Sequence, residues 1–262
     1  MMGQVETPVA LVMAGSKGIG RGCAEALMSS GFRIAICARG QEGVDAAVRE
    51  MRAKGGDVVG SAADVSRLDE LGAVFDVVDQ AFGRLDVLVV NAGGPKPGAF
   101  TTLGDDDWRA GFELTVMSAI TAIRAAIPRL RVGRYGRIIV LGSSSARAPI
   151  PNLALSNAFR PALVGVVKTL AAELAPEGIT VNMVCPGRIE TDRVRGLDQD
   201  RARREGLTTE EVRANSERSI PMGHYGQSSD IGGLTAFLAS EHAAYITGQC
   251  ILVDGGMVLA LP

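Results

Sequence analysis

Aromatic residues make up only 4% of the 262 positions, with a single tryptophan. A large core must then be assembled from Ala, Val, Ile and Leu, which suits parallel strands buried on both faces. Excess charge is also missing: the net charge is −2 and the pI near 5.8. A nucleic-acid binder carries a basic footprint, so no nucleic-acid partner is expected. The four cysteines, Cys23, Cys37, Cys185 and Cys250, share no metal-ligand spacing. They read as small core residues in a reducing compartment, with no metal site. No apolar run reads as long enough to span a membrane, and no cationic start leads into the apolar stretch of a secretory leader. A cytoplasmic protein without a membrane partner is the expectation. Three tyrosines and two histidines leave few side chains for proton transfer near neutral pH.

What is present is rhythm. Short aliphatic runs at Val9–Met13, Phe32–Cys37, Asp57–Ser61, Val87–Val90, Arg137–Leu141, Thr180–Val184 and Cys250–Val253 predict strands. Between them lie helical patterns over Gly18–Ser30, onward from the second strand through Lys54, and over Leu68–Phe82, Trp108–Leu130 and Leu153–Leu174. Strands alternating with helices predict an α/β protein with a doubly wound parallel sheet, a Rossmann fold with helices on both faces. The length suits one such domain, and no linker or repeat divides it. One stretch breaks the rhythm. Thr191–Arg218 is strongly charged, with Arg193, Arg195, Arg201, Arg203, Arg204, Arg213 and Arg218 interleaved with acids that include Asp198, Asp200, Glu205, Glu210 and Glu211. It reads either as a solvated helical excursion or as a mobile lid, since it follows the carboxyl end of a strand, where such sheets bind ligands.

The first motif is Ala14-Gly15-Ser16-Lys17-Gly18-Ile19-Gly20, directly after the first strand. Glycines there let backbone approach a diphosphate, and the helix N-terminus stabilises its charge. The second strand ends Cys37-Ala38-Arg39, without the carboxylate that would bind both ribose hydroxyls of NAD and repel the extra phosphate of NADP. Lys17 and Arg39 are either ordinary surface cations or a clamp for that 2′-phosphate. The second alternative makes NADP(H) the preferred cofactor over NAD(H).

Ser16-Lys17-Gly18-Ile19-Gly20, Asp64-Val65, Asn91-Ala92-Gly93, Pro186-Gly187 with Thr191, and Gly248-Gln249 through Asp254-Gly255-Gly256 occur in this order along nearly the whole chain. In this the sequence resembles the short-chain dehydrogenase/reductase family. The run Ala171–Asn182 is similar to the bacterial β-ketoacyl-acyl carrier protein reductases. The resemblance implies that Asp64 and Val65 hold the adenine. It implies that Asn91, Ala92 and Gly93 line the adenosine ribose, and that Pro186, Gly187, Ile189 and Thr191 hold the nicotinamide end. Where the family usually has Thr-Gly, this chain has Met13-Ala14, which predicts a shifted phosphate loop.

The larger departures are catalytic. The family uses Asn, Ser, Tyr and Lys. An ungapped alignment through Pro161–Gly165 puts Ser156 at the Tyr position, Arg160 at the Lys position, Ser143 at the Ser position and Thr115 at the Asn position. A serine hydroxyl is far less acidic than a phenol, whose pKa is about 10. Arginine is not expected to shuttle protons, yet it can bond a cofactor ribose and supply charge. Losing a general acid costs about 10²–10⁴-fold in rate. Ser143, with Ser144 or Ser145, either polarises a substrate carbonyl or only turns the strand end. His224-Tyr225 is either a substitute acid or a packing pair.

Three functions follow: an NADP-dependent oxidoreductase of a carbonyl or alcohol with an atypical active site, its substrate small or an acyl thioester; a non-redox isomerase or cyclase on the same fold; and a non-catalytic NADP-binding protein or inactive subunit. The apolar helices and Ile251-Leu252-Val253 resemble the family's subunit interfaces, implying a homotetramer or homodimer. Arg129, Arg131, Arg134 and Arg137 read as a solvated face or a dock for an acidic acyl carrier.

Overall fold

In the computed structural model the described residues are 7–133 and 135–260. Seven parallel strands form one sheet in the order β3-β2-β1-β4-β5-β6-β7. They are β1 (Val9–Met13), β2 (Arg33–Ala38), β3 (Val58–Ala62), β4 (Val87–Val90), β5 (Gly136–Leu141), β6 (Ile179–Pro186) and β7 (Cys250–Val253). β1, β4, β5 and β6 are buried at every position, which is why they read as continuous aliphatic runs. The expected doubly wound Rossmann fold is thus what the chain adopts.

Helices α1 (Gly18–Ser29) and α2 (Gln41–Ala53) follow β1 and β2, and α3 (Leu71–Phe82) follows β3. Where one continuous helix was predicted over Trp108–Leu130, the chain forms α4 (Asp105–Phe112), a π-turn at Glu113–Met117 and α5 (Ser118–Val132). This whole stretch, Asp105–Val132, is long and apolar enough to cross a membrane, contrary to the reading from the sequence. Its packing explains the composition: Ala119, Ala122, Ile123, Ala126 and Leu130 are buried in the main core cluster beside residues of β4 and β5. α6 (Ala154–Leu174) precedes β6. The arginine-rich stretch is two helices, α7 (Asp192–Glu205), capped by Thr191, and α8 (Thr209–Arg218), started by a Thr208–Glu211 capping box. α9 (Ser228–Ala239) lies across α1 so closely that a Cβ on Gly232 would sit 2.5 Å from the carbonyl oxygen of Gly22.

The strand order reverses direction at β1, between β2 and β4. At such a switch point the flanking loops diverge and leave a crevice at the carboxyl ends of the strands. Every part of the candidate site described next sits there.

Candidate active site

A cleft of about 1050 Å³ runs along the carboxyl edge of the sheet, from Arg39 and Asp64 at one end to Ser143, Ser156 and Arg160 at the other. At its first end, Ala14 turns with φ 46°, a left-handed conformation that glycine would adopt without strain. The methyl of Ala14 is thus accommodated by backbone strain at that residue. Gly18 also has a positive φ of 57°. A Cβ on Gly20 would meet Ala14 O at 2.3 Å and Asn91 Nδ2 at 2.8 Å. No side chain caps α1 at Lys17, so its first amides point unclaimed into the cleft. Gly15 is an exception to the expected set. It does not line the cleft; it packs on β2, its amide donating to Cys37 O at 3.0 Å, and a Cβ there would strike Ile36.

Lys17 and Arg39 line this end, and among the described residues no carboxylate lies within ion-pair distance of either. Asp64 accepts from the Ser66 amide at 3.0 Å and hydroxyl at 2.7 Å. Burial raises its carboxyl, but those bonds, together with Arg39 and Arg67, outweigh burial and hold it below the ordinary range. Val65, Asn91, Ala92 and Gly93 continue the wall, and Pro186, Gly187, Ile189 and Thr191 close the far side.

At the second end, Ser143 follows β5 and accepts the Ser145 amide at 3.1 Å. Ser145 Oγ and Ser156 Oγ lie 2.9 Å apart. Ser143, Ser144, Ser156 and Arg160 all line the cleft. Arg160 is 7% exposed; its Nη1 donates to Leu141 O at 2.8 Å and its Nε has no partner. Burial, opposed by Cys185 and reinforced by Arg193, pushes its pKa down to about 10.

Thr115 stands apart from the other aligned residues. It lies in the π-turn, 2% exposed, and does not line the cleft; its neighbour Leu114 does. Its hydroxyl is buried without a partner. His224 and Tyr225 also stay outside the cleft. Tyr225 donates to Asp198 Oδ2 at 2.9 Å, and Arg188 bridges to the same carboxylate at 2.5 Å, which anchors α7. Tyr225 is thus a buried packing residue, while His224 is exposed beside it. The basic cluster dissolves likewise. Arg129 is held by Asp79, Arg131 by Glu177, and Arg137 is buried against the Tyr135 ring; Arg134 lies outside the described residues.

Sequence reasoning missed three contributors. Arg193 and Arg201 of α7 line the cleft, as does the segment 257–260. A cap at Thr191 was legible and would have placed the first turn of α7 at the site. Nothing in the C-terminal segment signals its position.

A family model described as enoyl-(acyl carrier protein) reductase matches residues 13–258. The 3-oxoacyl-[acyl-carrier-protein] reductase FabG of Staphylococcus aureus is 36% identical over 254 residues, covering 97% of this chain and 99% of that one. FabG of Escherichia coli is 34% identical, covering 97% and 98%. The chain belongs to the short-chain dehydrogenase/reductase family. Among solved structures, a variant of actinorhodin polyketide ketoreductase with NADPH is 32% identical with a TM-score of 0.94, covering 97% of this chain and 98% of its own. An NADPH-bound short-chain oxidoreductase from Pseudomonas aeruginosa, described as containing an atypical catalytic center, is 30% identical with a TM-score of 0.88, at the same coverage.

Proposed function

We propose that the protein is an NADP(H)-dependent oxidoreductase of a carbonyl or alcohol substrate, in the manner of the 3-oxoacyl reductases, with an atypical active site. The observation that carries this reading is the continuity of one cleft from the glycine-rich loop to Ser143, Ser156 and Arg160. The open amides of α1 at Gly18 and Gly20 fit a diphosphate, and Gly20 lets the loop close, since a Cβ there would strike Ala14 O at 2.3 Å. Lys17 and Arg39, neither in a salt bridge among the described residues, suit a 2′-phosphate. Asp64 and Val65 take the adenine, Asn91 to Gly93 the ribose, and Pro186, Gly187, Ile189 and Thr191 the nicotinamide end. When bound, the nicotinamide supplies or accepts the hydride. Ser143 holds the substrate oxygen, and Ser156 extends that hydrogen-bonding group through Ser145. Arg160 orients the nicotinamide ribose and places positive charge where an oxyanion develops.

Calorimetric titration with NADPH and NADH tests the cofactor half, and turnover of a ketone and β-ketoacyl thioester panel tests the rest. NADPH is expected to bind at least tenfold more tightly than NADH. Binding of neither overturns the proposal. The double variant Ser156→Tyr/Arg160→Lys restores the family's acid and lysine and should raise ketone turnover.

A second reading, an NADP-binding protein or inactive subunit without turnover, is favoured by one observation. Among the described residues the only cleft-lining carboxylate at the substrate end is Asp192, which Arg195 holds at 2.5 Å, and no tyrosine or histidine lines that end. Binding without turnover, alone and with the double variant active, would select it. We also propose that the chain assembles as a homodimer or homotetramer in the cytoplasm. Phe100 and Phe112 are exposed on one face, and the edge strand β7 is only half-buried. A monomer by light scattering would refute the assembly.

A further inference from the structure

Most arginines of this chain that lie near the substrate end are neutralised: Arg188 by Asp198, Arg195 by Glu190 and Asp192, Arg201 by Glu205. Two are not. Arg160 and Arg193 both line the cleft, and among the described residues no carboxylate lies within ion-pair distance of either. Arg160 is 93% buried by its 7% exposure, with Nη1 on Leu141 O and Nε unpartnered. Arg193 spends one nitrogen on Pro95 O at 2.6 Å. Its Nη2, Nε and Cζ would lie 2.8, 2.9 and 3.0 Å from a Cβ on Gly94, nearly equal distances, so its guanidinium lies flat over that glycine. Gly94 is what lets this arginine reach the cleft. Burial lowers the proton affinity of Arg193, opposed by Asp200, and the Arg193 charge in turn adds to the effect of burial on Arg160.

Arg160 is a buried, unpaired cation, which is costly, and the second positive charge of Arg193, more exposed on the same cleft, adds to that cost. Such a pair is stabilised when an anion enters between them, and planar guanidinium groups match the two oxygens of a carboxylate. The surrounding wall is apolar, with Leu114, Ile150, Leu153 and Leu197. We infer that Arg160 and Arg193 form a carboxylate clamp, and that the substrate is a short oxo or hydroxy acid whose free carboxylate lies beside the carbon that Ser143 addresses. This rests on the oxidoreductase reading and narrows it: the acid is free, not masked as a thioester. The diphosphate of the cofactor has its own cradle at α1, at the other side of the cleft.

The test is calorimetric binding of acetoacetate and 2-oxopentanoate to the full chain loaded with NADP⁺, beside their methyl esters and the acetoacetyl thioester of N-acetylcysteamine. The acids should bind at least tenfold more tightly than the neutral forms and weaken with salt. Arg193→Met should erase at least tenfold of that preference, and Arg193→Lys should recover part of it, since it keeps the charge and loses the fork. NADPH affinity is measured on each variant. Equal binding of acids and neutral forms overturns the clamp, as does a thioester preference. A loss of NADPH affinity in Arg193→Met equal to the loss for acids also overturns it, because Arg193 would then serve the cofactor. If NADPH fails to bind the unaltered chain, the oxidoreductase reading fails with it; if NADPH binds and the acids do not, only the clamp fails.

Discussion

Replacing Arg160 with methionine should make the ligand-free protein more stable. The pKa of this guanidinium is pushed well down from its ordinary range to about 10, chiefly by burial. That drop corresponds to a penalty of about 3 kcal/mol on the charged form at neutral pH. Methionine removes the charge and fills a similar volume. Against this stands the lost hydrogen bond to Leu141 O, a loss of about 1–2 kcal/mol. The net gain is about 1–2 kcal/mol, a rise in Tm of roughly 2–8 °C for a domain of this size. The sign with pH follows. The folded-state proton affinity is depressed, so from about pH 10 up to the ordinary guanidinium range the unfolded chain holds a proton the folded one has shed, and stability rises there. Below that window the advantage of the variant is constant; within it the advantage shrinks. Thermal unfolding of both proteins without ligand measures it. A lower or unchanged Tm for Arg160→Met would refute the reasoning and mean that the charge is already neutralised by something bound.

Other expectations are smaller and separate. Ala14→Gly should stabilise the ligand-free chain by about 1 kcal/mol, because the left-handed backbone at φ 46° no longer carries a Cβ; a loss of stability in denaturant titration would contradict it. Gly232→Ala should destabilise by about 1–3 kcal/mol, since its methyl would meet Gly22 O at 2.5 Å with backbone on both sides; an unchanged unfolding midpoint would show that the crossing yields. Arg39→Asp should weaken NADPH binding at least tenfold and strengthen NADH, read by calorimetry; equal losses for both would assign Arg39 to the adenine instead. The thiols Cys185 and Cys250 lie 3.3 Å apart. The bond from Cys185, with Arg147 and Lys168 nearby, draws Cys250 down to about 6 against burial, while Cys23 and Cys37 are pushed up to about 11 by burial. Thiolate absorbance should therefore rise between pH 5 and 7, about one unit either side of that value, and Cys250→Ser should abolish the rise.

The strand order and the glycine loop were legible because their signals are local. An aliphatic run reads as a buried strand wherever it falls, and Gly18 and Gly20 sit in one short segment. The break in the long helix was not legible. No proline or glycine marks Glu113–Met117, and the π-turn follows from how Leu114 and Thr115 are packed. Position-by-position alignment placed Thr115 at the reacting end, while the fold buries it and presents Leu114. Arg193 could not be told from its six arginine neighbours in Thr191–Arg218. Only contact with Gly94, far away in the chain, distinguishes it. Tyr225 was undecided for the same reason: its partner, Asp198, belongs to another helix.

The crossing of α1 and α9 sets the timetable on which the molecule can be made. Cys23 of α1 bonds Thr235 of α9 across 212 residues of chain. At synthesis rates of about 5–20 residues per second, the first helix waits on the order of 10–40 s for the partner that covers it. Throughout that interval the buried face of α1, with Cys23, Ala24 and Leu27, has no α9 to cover it. The last helix therefore acts as the lock on the first. Nascent chains stalled before α9 are where protease sensitivity and chaperone capture should concentrate.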